Sequence, residues 1–158
     1  MPLALEIISP EKMLVSREVD MVVIPGTEGD LGILPGHSRL ITGLRGGLVD
    51  IYEGNAVTDR FFVTGGFAEV TDTRCSVLAD SITRQSELDG AAANEALAKA
   101  RDEYAAVDVM DHDAYLLASD RLISAQAMVD AVGAKKPGNV NVPKMSAAAG
   151  QRADNPKG

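Results

Sequence analysis

The feature that most constrains this chain is a single change of hydrophobic period at Arg84. Up to Thr83 the sequence is a succession of short β-prone runs broken by Gly, Asp and Asn; beyond it, apolar residues recur at helical spacing. A chain that places many short strands first and helices afterwards folds as a β unit followed by an α unit, not as alternating βαβ layers. Strands are expected at residues 3–8, 13–16, 19–24, 40–44, 48–52, 60–64, 67–71 and 75–79, with one more at 81–83, and such regular spacing implies an antiparallel sandwich or barrel. Glu53-Gly54-Asn55 and Asp72-Thr73 have the chemistry of hairpin turns, and Arg60-Phe61-Phe62-Val63, the most hydrophobic stretch, belongs to the core.

After Arg84, Ser86 and Asp89 can both cap a helix whose stripe is Ala93, Leu97, Ala100, Tyr104 and Val107, with Glu95, Lys99 and Glu103 as i,i+4 partners of opposite sign. A polar break at residues 108–113 follows. Asp113 then caps a second helix with the stripe Tyr115, Ala118, Leu122, Ala125, Val129 and Val132, which Gly133 ends. Two helices of similar length joined by a short connection form an antiparallel hairpin, and the alanines on both stripes allow close approach. From Ala134 onward Pro, Gly, Asn, Ser and Lys dominate, and a disordered tail is expected. The divisions are therefore 1–84, 85–133 and 134–158.

With 158 residues, 46% of them hydrophobic, the chain can bury one core and a small appendage without disulfides or metal. Cys75 is the lone cysteine, which excludes an internal disulfide and a four-cysteine zinc site; it reads as a small buried strand residue. No segment has the make-up of a signal or transit peptide, a membrane span or a lipid anchor, so membrane association is expected only through a protein partner. The net charge of −8 is unevenly spread, at −5, −7 and +4 over the three divisions. Two acidic blocks with 4% aromatic residues and no basic stripe argue against nucleic-acid binding by the folded part.

The stretch Gly26-Thr27-Glu28-Gly29-Asp30-Leu31-Gly32-Ile33-Leu34-Pro35-Gly36-His37 is the densest run of Gly and Pro. It matches neither the P-loop nor the dinucleotide fingerprint, and its two acids with no lysine would repel phosphate, so Gly26, Gly29 and Gly32 read as backbone positions needing positive φ or close approach. His37 and His112 lack metal-ligand spacing. Gly36-His37-Ser38 lacks the second glycine of a serine nucleophile elbow. Glu28 and Asp30, which alternate along an extended segment, could with His37 serve acid–base chemistry in a small hydrolase, but fit better as an acidic rim facing a basic partner. With Ile33, Leu34 and Pro35 near the tip, the run suits docking onto another protein; Leu31, Ile33 and Leu34 could equally form one more strand.

Residues 26–37 resemble, without a gap, the G-x-x-G-[ED]-[LF]-G-[IV]-x-P-G-H pattern of the epsilon subunits of F-type ATP synthases. Leu3 to Pro10 is similar to that family's opening strand and turn, Thr64-Gly65-Gly66-Phe67-Ala68-Glu69-Val70 to its S/T-G-G-x-x-E-V signature, and Val77-Leu78-Ala79-Asp80 to its V-L-A-D ending, so the resemblance reaches about Val132. It implies a β-sandwich of about ten strands in two sheets, then a two-helix domain. It also implies a non-catalytic rotor subunit whose sandwich binds the gamma subunit and rests on the c-ring, with Glu28, Asp30, Ile33, Leu34, Pro35 and His37 at those contacts.

The family's hairpin folds against the sandwich or extends into the catalytic head, where basic residues of its second helix meet the beta subunit; contacts with alpha and beta and a restraint on ATP hydrolysis follow from the resemblance. Here that helix offers only Arg121 between Asp120 and Asp130, which implies weak inhibition unless Lys135 and Lys136 contribute. ATP-binding members carry [LI]-D-x-x-R-A, whereas this chain reads Leu88-Asp89-Gly90-Ala91-Ala92-Ala93, with Ala92 in place of the arginine. Loss of that guanidinium implies no cofactor and no ATP binding below millimolar concentrations. The expected location is the cytoplasmic face of a bacterial inner membrane, as a peripheral subunit.

Overall fold

A computed structural model describes residues 2–134, 136 and 137, so most of the tail expected from Ala134 lies outside the described residues. Ten strands precede the helices: β1 Leu3–Ile8, β2 Met13–Val19, β3 Met21–Gly26, β4 Gly29–Ile33, β5 Leu40–Leu44, β6 Gly47–Glu53, β7 Ala56–Val63, β8 Gly66–Val70, β9 Arg74–Ala79 and β10 Ile82–Arg84. A 3-10 turn, Gln85–Glu87, leads to α1 Gly90–Ala106 and α2 His112–Gly133.

The strands follow one path, β10-β7-β6-β3-β5-β8-β9-β1-β2, with β4 added on β3. Its weakest joint is β3 to β5, held by the single pair Gly26↔Leu44. There the path folds into two layers, β10-β7-β6-β3-β4 over β5-β8-β9-β1-β2, which is the expected sandwich. Alternation along each strand then sends one set of side chains inward. Leu3, Leu5, Ile7, Cys75 and Val77 come from one layer and Val22, Ile24, Val49, Ile51 and Phe61 from the other, all at 1% exposure or less. Each such aliphatic side chain contributes about 1.5–3 kcal/mol by leaving water.

Two details depart from the sequence expectation. β1 and β9 pair in parallel, from Ala4↔Arg74 to Ile8↔Leu78, in an otherwise antiparallel arrangement. The strand expected at 19–24 is split at Asp20, whose N–H donates to the Tyr52 carbonyl at 3.1 Å and whose carboxylate accepts the Gly54 N–H at 2.5 Å. Tied at both ends of its residue to the β6–β7 turn, the chain changes direction there, so β2 runs to Val19 and β3 starts at Met21. The turns read at Glu53-Gly54-Asn55 and Asp72-Thr73 close the β6–β7 and β8–β9 hairpins.

Asp89 caps α1 as expected, accepting from the N–H groups of Ala91 (2.9 Å) and Ala92 (3.4 Å). The second cap is Asp111, not Asp113. A turn closed by the Asp108 carbonyl on the Asp111 N–H brings Asp111 to the cap position, where it accepts from Ala114 N–H at 3.2 Å. Asp113 instead sits in the first turn, where its charge complements the helix dipole. Leu97, Ala100 and Ala125 pack between the helices as a small cluster distinct from the sandwich core. Glu103, expected to pair with Lys99, reaches across to Arg121 at 3.9 Å.

Candidate functional site

The run at residues 26–37 is not one loop tip. Gly29–Ile33 is strand β4, paired with β3 from Gly26↔Gly29 to Val22↔Ile33, so the strand alternative holds for Leu31 and Ile33. Ile33 is fully buried in the core, a correction to its expected place at an interface: alternation on β4 turns it inward. Gly29 takes a positive φ of 134°, and a Cβ on Gly26 would lie 2.8 Å from the Gly29 carbonyl; Gly32 needs neither allowance.

β4 separates the remaining residues into two ends about 13 Å apart along the strand from Asp30 to Leu34. At one end Glu28 and Asp30 are exposed, and Asp30 forms a 2.6 Å ion pair with Arg45, whose guanidinium also donates to the Gly26 carbonyl at 3.0 Å. At the other end Leu34 is 49% exposed and Pro35 and His37 are half-buried. That end is fastened to the β8–β9 turn by the Gly36 N–H on the Asp72 carbonyl at 2.6 Å. The His37 imidazole Nδ1 lies 2.7 Å from the Ser38 carbonyl. Asp30 and His37 thus never meet, and the acid–base grouping of Glu28, Asp30 and His37 is not assembled.

A second surface escaped the sequence reading. On the outer face of the β5-β8-β9-β1-β2 layer, Phe67 pairs with Leu78 and Leu78 with Ile8, which sets three large apolar side chains in one row across the sheet. Ile41, opposite Glu69, is the diagonal neighbour of Phe67, roughly 7 Å away. Ile41 is 71% exposed and Phe67 48%. Beside this row runs a polar one, in which Ser76 Oγ donates to Glu6 at 3.1 Å and Arg74 pairs with Glu6 at 3.5 Å. An apolar patch edged by satisfied polar groups on a sheet face is the make-up of a protein-binding surface. Its signal was present in Gly66–Val70, where a large aromatic alternates outward against an inward alanine at position 68.

The hairpin lies against β6. Ser124 Oγ donates to the Thr64 carbonyl at 3.3 Å, and the fully buried Gln85 donates from Nε2 to the carbonyls of Ala131 (3.0 Å) and Ala134 (3.2 Å). Beneath α2, Asp50 and Arg60 form a 3.1 Å ion pair. Burial pushes the Asp50 carboxyl up, Arg60 opposes this, and the charge of Asp30 adds to the rise. The partly buried pair borders a groove between the sandwich and α2. Among the described residues no group of three His, Cys, Asp or Glu side chains is placed to hold a metal. None of their helices is long and apolar enough to cross a membrane. Of the regulatory residues read from sequence, Asp89 is occupied as a cap, Leu88 is half-buried, and Arg121 is exposed and shared with Glu103.

Residues 2–85 match the family described as ATP synthase, Delta/Epsilon chain, beta-sandwich domain. The chain is 50% identical over 128 residues to the ATP synthase epsilon chain of Granulibacter bethesdensis, covering 81% of this chain and 95% of that one. It is 46% identical over 133 residues to the ATP synthase epsilon chain of Gluconacetobacter diazotrophicus, covering 84% and 94%. Among solved structures, a chain of the Euglena gracilis mitochondrial ATP synthase (OSCP/F1/c-ring) aligns with a TM-score of 0.71 at 21% identity, over 83% of this chain and 81% of that one. A chain of the Tetrahymena thermophila mitochondrial ATP synthase central stalk and c-ring aligns with a TM-score of 0.62 at 16% identity, over 84% and 97%. At those identities the structural likeness is one of fold.

Proposed function

The chain belongs to the family of ATP synthase epsilon chains, and from that premise we propose that it is a non-catalytic central-stalk subunit that couples rotation of the c-ring to ATP synthesis. The observation that carries this reading is the outward-facing apolar row of exposed Phe67 and half-buried Leu78 and Ile8, with exposed Ile41 beside it, on a sheet face outside the core. A flat apolar face of this kind suits an elongated helical partner, and the gamma subunit is the partner assigned to it. Leu34, Pro35 and His37 form a second, smaller contact with the c-ring. Glu28 and Asp30, on the far end of β4, form an acidic rim suited to basic groups on the same neighbours.

Division of labour follows the two hydrophobic clusters. The sandwich core draws on strands alone, from Leu3 to Ala79, and so has what it needs to stand without the helices. The hairpin is the regulatory part, reaching alpha and beta when extended. Its inhibition is weak, because Arg121, the second helix's one Arg or Lys, lies 3.9 Å from Glu103 and is flanked by Asp120. Through these partners the protein sits peripherally on the cytoplasmic face of a bacterial inner membrane.

Reconstitution of the synthase with a chain ending at Arg84 tests this division. Assembly and proton-coupled synthesis are expected to survive, with only a slight rise in hydrolysis; failure to assemble would place the essential contact on the hairpin instead.

A further inference from the structure

We propose that Tyr104 and Tyr115 form an oxidative cross-linking site, at which a one-electron oxidant of the class of a haem peroxidase with hydrogen peroxide joins the two phenols into an intramolecular dityrosine. The site lies wholly within the helical hairpin and draws on neither the sandwich nor a partner subunit.

Tyr104 stands in the last turn of α1 and Tyr115 in the first turn of α2, on either side of the break at residues 107–111. Their hydroxyl oxygens are 3.0 Å apart, their ring centroids 5.6 Å, and the rings are inclined by 41°. With the hydroxyls converging, an ortho carbon of each ring, one bond from the hydroxyl-bearing carbon, lies beside its counterpart, and a phenoxyl radical carries much of its unpaired electron density there. Neighbouring contacts hold this arrangement. Glu103 reaches Arg121 across the helices, and Asp111 caps the turn that carries Tyr115. Two reacting groups fixed in this way meet far more often than the same groups free in solution. Both rings are half-buried, so their outer edges stay open to solvent, whereas the third tyrosine, Tyr52, lies on β6 of the sandwich.

The hydrogen bond to Tyr115 holds the Tyr104 phenol above its ordinary value of 10.0, so at neutral pH Tyr104 reacts as the neutral phenol. Each phenol gives one electron to the oxidant and its hydroxyl proton to water. The two radicals pair their electrons in a C–C bond between ortho carbons, and each ortho hydrogen then moves to the adjoining oxygen, which restores both rings. Hydrogen peroxide takes up the two electrons and two protons and leaves as two waters, while the protein loses two hydrogen atoms. The bond ties α1 to α2 at their joined end, and thiols do not reverse it. Other oxidisable groups leave a different mark. Met110, 86% exposed in the break between the helices, gains an oxygen atom, and the Cys75 thiol is fully buried.

Treatment of the full chain with a haem peroxidase and hydrogen peroxide tests this. Dityrosine fluorescence is expected in the monomer band, and its yield should hold through about tenfold dilution of the protein, as an intramolecular step requires. Peptide mapping of the product should join the segments that hold Tyr104 and Tyr115, with a mass lower by two hydrogen atoms. Tyr104→Phe and Tyr115→Phe each keep the ring and remove the oxidisable hydroxyl, and each should cut the yield at least about tenfold, whereas Tyr52→Phe should leave it as it is. Fluorescence confined to dimers, or undiminished in either helix variant, would overturn the site. A mapped link between any other residues would do the same without recourse to a variant, as would oxygen added to Met110 with both tyrosines left unlinked.

Discussion

Cys75 shows how a residue's chemistry follows from its neighbours. It lies on an inward position of β9, fully buried among strand side chains, and burial pushes its thiol from an ordinary value of 9.0 up to about 12. A thiol whose pKa is raised by folding contributes stability that is complete below pH 9 and is lost as pH climbs towards 12. At pH 8 the folded protein should resist a maleimide reagent and label only as fast as it unfolds; prompt labelling of native protein would contradict the burial. This was legible in the sequence, since no His or Lys stands near enough along the chain to lower the pKa. Gln85 was not legible. A polar residue after a strand reads as solvent-facing, and only the return of α2, some forty-six positions later, encloses it.

At the scale of elements, the sequence periods located both helices and nearly all strands, and the errors fall where side chains reach out of their own element. Asp20 splits a run of β-formers because it bonds to a turn thirty-four residues on. β4 stood in the sequence only as one of two alternatives, because the glycines among Leu31 and Ile33 weaken the alternation. Asp111 took the α2 cap from Asp113 because the preceding turn ends there. Asp111→Ala should cost about 1 kcal/mol, the usual worth of such a cap, and Asp113→Ala less, since that side chain acts only through the helix dipole. Thermal denaturation followed by helical circular dichroism would decide between them, and a larger loss from Asp113→Ala would restore the cap to the later residue.

The whole molecule depends on relations that no local pattern carries. Parallel pairing of β1 with β9 joins residues about seventy positions apart, a separation that no local pattern signals. The same pairing, extended by that of β9 with β8, lines up Ile8, Leu78 and Phe67, which are unremarkable one at a time, into the apolar row on which the docking reading rests. Residues 26–37, by contrast, were recognisable from sequence, but their split into an acidic end and an apolar end came from the strand between them. Affinity for the gamma subunit is the most direct measure of the central claim. An Ile41→Asp, Phe67→Asp double variant of the full chain should keep the thermal stability of the parent, since both side chains point to solvent, and bind gamma at least about a hundredfold more weakly. A variant that folds normally and binds gamma as tightly as the parent would contradict it.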